Sequence, residues 1–169
     1  MLKAKQGATS LTALANDAQS PAIVRATAVE WLRSFPSEVA FNALQAAVRD
    51  SDPLVRVAAA DGFDVYDPRQ RSALLPLLGD PVRAVRLAAI ANAPPERLDL
   101  SAVREYEMSQ QENADQPGAH INVGNLYASL GRAAEAASAY QAAIRLDPTA
   151  APAYVNLADL RSRSGENGV

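Results

Sequence analysis

Apolar positions recur at helical spacing along most of this chain, and prolines and glycines punctuate them. The pattern is sharpest over residues 117–148. Val123, Leu126, Tyr127 and Leu130 fall at i, i+3, i+4 and i+7, which is one face of a helix. Gly131 follows, the residue type that takes the left-handed conformation closing a helix. Ala136, Tyr140, Ala143 and Ile144 then form a second helical face. That helix stops before Asp147-Pro148, because proline cannot continue it. Gly124 and Ala136 are small where the two helices must approach closely. A lone helical hairpin cannot bury both of its faces, so the pattern demands neighbours.

A neighbour is visible 34 residues on. That shift aligns Ala119 with Ala153, His120 with Tyr154, Asn122 with Asn156, Val123 with Leu157, Gly124 with Ala158 and Gly131 with Gly165. With its small, aromatic and proline positions, this stretch resembles the tetratricopeptide (TPR) repeat. It departs at His120, where that family usually has Trp or another large residue. The second copy reaches Val169 before its second helix.

A different repeat precedes it. Residues 6–18 read as a helix with Leu11, Leu14 and Ala15 in a loose stripe. Ser20-Pro21, Asp52-Pro53 and Asp80-Pro81 each set a capping side chain before proline, a favourable helix start. Val24-Arg25, Val55-Arg56 and Val85-Arg86 follow, each leading into small and apolar residues, with the arginines 31 and 30 residues apart. Second helices are predicted over 39–49, with Val39, Ala43, Ala46 and Ala47 on one face, and over 69–78, with Ser72, Leu75, Pro76 and Leu78. The D-P-x-V-R-x-A-A pattern resembles short HEAT-type repeats. That resemblance implies a structural ladder in which Arg25, Arg56 and Arg86 pair with acids of adjacent repeats, Asp52 and Asp80. An anion-binding row is the alternative, and repeat-locked residues usually serve stacking.

The expected fold is an all-α, helical-hairpin solenoid. Residues 1–98 form HEAT-like repeats, 99–116 a connecting helix with Val103, Tyr106 and Met108 and a short polar link, and 117–169 the TPR repeat with the first helix of another. The link is too short for a flexible tether, which predicts one continuous solenoid.

Composition agrees. The 36 alanines and few aromatics favour closely packed helices over sheet. Without Cys, thiol-attached haem, iron–sulfur clusters, thiolate zinc sites and disulfides are excluded within this sequence. The net charge of −3 divides into +1 for residues 1–98 and −4 for 99–169, so no basic excess marks a nucleic-acid binder. No apolar run is long enough to span a membrane. The first 20 residues lack the apolar block of a signal peptide. A cytoplasmic protein is expected, or a periplasmic one if the export signal lies elsewhere.

Candidate chemistry is sparse. Asp61, Asp64 and Asp67 lack the ligand alternation of a calcium loop and suit turns and caps. His120, the one histidine, has no metal partner or nucleophile near it in sequence and sits at a packing position. No catalytic triad, phosphate-cradling loop or metal set is present, so neither enzyme activity nor a cofactor is expected. Asn122, Asn125 and Ser129 share the face opposite the core stripe, and Asn156, Asp159 and Arg163 repeat that geometry. In TPR proteins the corresponding face lines a concave groove, where Asn amides can pair with an extended peptide backbone. The alternative is that these asparagines make the repeat's internal hydrogen bonds. Ile121 stands where a carboxylate clamp would need Lys.

The predicted function is a protein–protein interaction scaffold holding a partner protein or peptide on its concave face. VRATAVEWL, DPLVRVAAA and DPVRAVRLAAI, followed by REYEMSQQENADQPGAHINVGNLYASLGR, resemble the HEAT–TPR region of bacterial multihaem c-type cytochromes. That family carries its haem sites upstream of the repeats, so the resemblance implies a partner-binding tail of an exported electron-transfer protein. Two alternatives stay open. Short HEAT repeats also build bilin lyases, where the concave surface holds a chromophore. The unfinished second repeat is expected to leave the Leu157 and Leu160 face of its helix without a covering helix, a surface suited to homo-oligomer formation.

Overall fold

The structure, a computed structural model, describes residues 2–64 and 66–163. It is all-α, with no strand among the described residues. The chain divides into two compact units, one ending at Leu98 and one beginning at Asp99. Gly165, matched to Gly131 by the 34-residue shift, lies outside the described residues.

The first unit holds α1 (Leu2–Ala15), α2 (Ala22–Leu32), α3 (Glu38–Ala47), α4 (Pro53–Gly62), α5 (Pro68–Ala73) and α6 (Arg83–Asn92), with a 3-10 turn at Leu75–Gly79. α2, α4 and α6 pack side by side, α2 against α4 and α4 against α6. Apart from Arg25 and Leu32 of α2, their buried residues are small or β-branched. Val55 and Val85 are fully buried one residue before their arginines, Val29, Ala60 and Ile90 are buried four residues after theirs, and Ala28, Ala59 and Ala89 are buried three after. Each buried Val contributes about 1.5–3 kcal/mol. The intervening alanines let neighbouring backbones come close enough to exclude voids.

Helix starts depend on local side chains. Asp52 caps α4 through the Leu54 N–H at 2.9 Å, and Asp67 caps α5 through the Arg69 N–H at 2.9 Å. Ser37 caps α3 through Ala40. Ser20 does not act as the expected cap, and Asp80 accepts the Val82 N–H at 2.9 Å just ahead of its helix. Ser20 donates its hydroxyl to Asp17, and α6 begins after Val82 with no side-chain cap.

Two predicted faces are shifted. On α3 the buried residues are Ala40, Phe41, Ala43, Leu44 and Ala47, while Val39 and Ala46 are exposed. The larger Phe41 and Leu44 decide the register, with Phe41 meeting Phe63 edge to face. Over 69–78 the helix tightens into the 3-10 turn. Its shorter period brings Leu74 and Leu77 inward instead of Leu75 and Leu78.

The second unit holds α7 (Leu100–Gln111), α8 (Pro117–Ser129), α9 (Ala133–Leu146) and α10 (Ala151–Arg163). Gly131 has φ +73°. Its N–H reaches the Ala128 carbonyl and the Arg132 N–H reaches the Tyr127 carbonyl at 2.8 Å, the Schellman arrangement that satisfies the end of α8. Gly124 is buried, and a Cβ there would run into the Tyr140 ring of α9. The missing side chain admits that ring, and Ala136, wholly buried, plays the reciprocal part on α9. α9 packs against both α8 and α10, while α7 lies on α8. Among the described residues no helix is long and apolar enough to cross a membrane.

Candidate binding surface

Repeat spacing places Asn122, Asn125 and Ser129 on α8 and Asn156, Asp159 and Arg163 on α10. The structure joins two of them directly. The Asn125 Oδ1 accepts from the Asn156 Nδ2 at 2.9 Å and from the Tyr140 hydroxyl at 2.9 Å, so one side-chain oxygen ties α8, α9 and α10 together. Asn122 donates to Gln110 of α7 at 3.0 Å. The internal role open from the sequence is therefore present. The asparagines are not consumed by it, however. Asn125 is exposed and Asn156 half-buried, and among the described residues the Asn125 Nδ2 and the Asn156 Oδ1 have no partner. A donor and an acceptor thus stand side by side across two helices.

The other candidates differ. Ser129 turns its hydroxyl back to the Leu126 carbonyl at 2.8 Å and is occupied within its own helix. Asp159 and Arg163 are exposed on α10. Burial pushes the Tyr140 hydroxyl above its ordinary pKa, and the nearby Asp159 charge pushes it further, so Tyr140 stays a neutral donor to Asn125. His120 is half-buried, its Nε2 2.9 Å from the Ala114 carbonyl. With Glu107, Gln110, Gln111, Val123 and Tyr127 it lines a groove of about 270 Å³ over α7 and α8. Tyr127 donates to Glu107 at 2.8 Å, and the Arg132 guanidinium stacks on its ring.

The repeated arginines of the first unit form forks. Arg25 binds both oxygens of Asp50, at 3.1 and 2.8 Å, and Arg56 binds both oxygens of Asp80, at 2.7 and 3.0 Å. Each also donates to carbonyls just before its own helix: Arg25 to Ser20, Arg56 to Asp50 and Ser51. Arg86 does the same toward the Asp80 and Pro81 carbonyls. The partner of Arg25 is thus Asp50 and not Asp52, which is spent on its cap. The forks are largely shielded from solvent, where bidentate charge-assisted bonds hold geometry best. Arg56 holds the Asp80 carboxyl below the ordinary range. For Asp50, burial acts upward but the hydrogen bonds from the Arg25 guanidinium and the Asp52 N–H outweigh it.

The acids grouped as Asp61, Asp64 and Asp67 part company. Asp64 accepts from the Tyr66 N–H and Asp67 caps α5, whereas Asp61 lies in α4 and accepts from Asn92 of α6. Among the described residues no group of three or more ligating side chains could hold a metal ion. The sequence reading passed over one surface, a furrow along α2 and α4 lined by Ile23, Glu30, Leu54 and Asp61. Counting from each Val-Arg pair would have found it. Ile23 and Leu54 both stand two residues before the arginine, and Glu30 and Asp61 five after it.

Comparison with known families gives two matches. A family model described as HEAT repeats matches residues 8–93, and one described as TPR repeat matches residues 124–165. Neither supports the narrower resemblance to multihaem cytochromes. No curated protein and no solved structure matches the chain.

Proposed function

Because the chain belongs to the HEAT-repeat family and carries a TPR repeat as well, we propose that it is a non-enzymatic protein-interaction scaffold whose second unit takes an extended segment of a partner across Asn122, Asn125 and Asn156. Repeats of both kinds generally serve protein interaction, presenting broad surfaces built from equivalent positions. The observation that carries the finer reading is the Asn125–Asn156 pair. Its bond fixes both side chains, and the Nδ2 of one and the Oδ1 of the other match the C=O and N–H of an extended backbone. Fixing the side chains beforehand lowers the entropy lost on binding.

The test uses peptides selected from a displayed random library on the full chain. Peptides that occupy this face should bind the Asn122→Ala/Asn156→Ala protein at least about tenfold more weakly, the loss of about 1.4 kcal/mol expected for one or two hydrogen bonds. Helix content by circular dichroism should not change. Undiminished binding of every selected peptide to that variant would overturn the assignment.

A further inference from the structure

We infer that the furrow over α2 and α4 in the first unit is a second docking site, fitted to an extended peptide segment with an apolar side chain three residues from a Lys or Arg. The furrow holds about 480 Å³. Helices α2 and α4 lie abreast, and equivalent residues face each other across it. At one end stand Ile23 and Leu54, with 60% and 43% of their surfaces exposed, on a layer whose inward residues are buried almost completely. Thr27, Val57 and Ala58 form the middle. At the other end stand Glu30 and Asp61, and Arg33 and Asn92 join the lining, so two carboxylates share it with one guanidinium.

That acidic end is electrostatically uncomfortable by itself. Glu30 sits in the last turn of α2 and Asp61 in the last turn of α4, where the helix dipole disfavours a negative charge. The two carboxylates also repel each other, and crowding by protein pushes the Asp61 carboxyl above its ordinary range despite its solvent contact. The Asn92 hydrogen bond and the Arg33 charge offset this only in part, and Arg33 forms no ion pair among the described residues. A cationic side chain would offset the dipole and the repulsion together. An ammonium or guanidinium is therefore the favoured occupant of that end, and an aliphatic side chain of the other.

The spacing follows from helix geometry. Leu54 and Asp61 are seven residues apart, as are Ile23 and Glu30. Seven residues of helix rise about 10 Å. A polyproline II segment has three residues per turn and rises about 3.1 Å per residue, so it covers that length in about three residues with both side chains on the same face. Its pattern is apolar-x-x-basic.

The experiment selects random octapeptides from a displayed library on the full chain and then measures each retained peptide on the parent and on the Glu30→Gln/Asp61→Asn protein. Both substitutions keep shape and hydrogen-bonding oxygens, and Asn at 61 can still accept from Asn92. Peptides retained should be enriched in apolar-x-x-Lys/Arg. They should lose at least about tenfold in affinity for the double variant and weaken as salt rises. The variant should melt no lower than the parent, because it removes a repulsion. The Asn122→Ala/Asn156→Ala protein should bind these peptides as the parent does, which separates this site from the one on the second unit. Recovery of only neutral or acidic peptides, no enrichment at all, or basic peptides indifferent to the Glu30/Asp61 change would overturn the inference.

Discussion

The two units solve the same stacking problem by different chemistry. In the first, successive repeats are tied by charge: Arg25 to Asp50 and Arg56 to Asp80, each guanidinium also gripping the carbonyls before its own helix. In the second, they are tied by shape, with Tyr140 seated against Gly124, and by a neutral network centred on the Asn125 oxygen. Charge tolerates variation in helix ends, because a long arginine reaches its partner across irregular turns. Shape demands a fixed hairpin, which is why Gly131 and the Schellman turn are needed there. The difference bears on function. The neutral network leaves amide groups on the surface, whereas the ladder arginines are engaged with carboxylates and carbonyls.

The largest effect should come from breaking the ladder. Asp80→Ala strands the Arg56 guanidinium and removes an acceptor from the Val82 N–H, costing about 3 kcal/mol. Urea denaturation of the full chain would show this as loss of the first unit before the second. Next is Gly124→Ala, which forces a methyl group against the Tyr140 ring and should cost about 2 kcal/mol, confined to the second unit. Gly131→Ala should cost about 1 kcal/mol there, the penalty for a Cβ at positive φ.

Acid sharpens the same contrast. The Asp50 and Asp80 carboxyls are lowered in the folded state, so their contribution is complete above the ordinary carboxylate pKa and lost as pH falls through the lowered values. Asp61, raised, has the opposite sign: its contribution is present at low pH and lost as pH rises through the ordinary range and above it. Thermal melts across the acid range should show the first unit losing stability on acidification, and Asp80→Asn should flatten that limb.

Much of this was legible in the sequence where the determinants are local. Gly131, Gly124 and Tyr140 announce the second unit because a turn conformation and a close approach each require one residue type. The HEAT-like arginines were equally visible. Of the two acids expected, Asp80 is a partner and Asp52 is not, because aligning the repeats on Asp-Pro misses the register kept with the arginine: Asp50 and Asp80 both lie six residues before one. Asp52 belongs to a different position, the cap. The α3 face escaped because an alanine-rich helix has a weak period, and Phe41 and Leu44 set it through tertiary packing. The Asn125–Asn156 bond crosses 31 residues and two helices, beyond what spacing on one helix reveals.

The most direct test of the scaffold reading is amide hydrogen exchange on the full chain, with and without a selected peptide that is sensitive to Asn122→Ala/Asn156→Ala. Binding should slow exchange within α8 and α10, around Asn122, Asn125 and Asn156, and leave α2 and α4 unaffected. Protection lying elsewhere, with α8 and α10 exchanging as in the free protein, would contradict it.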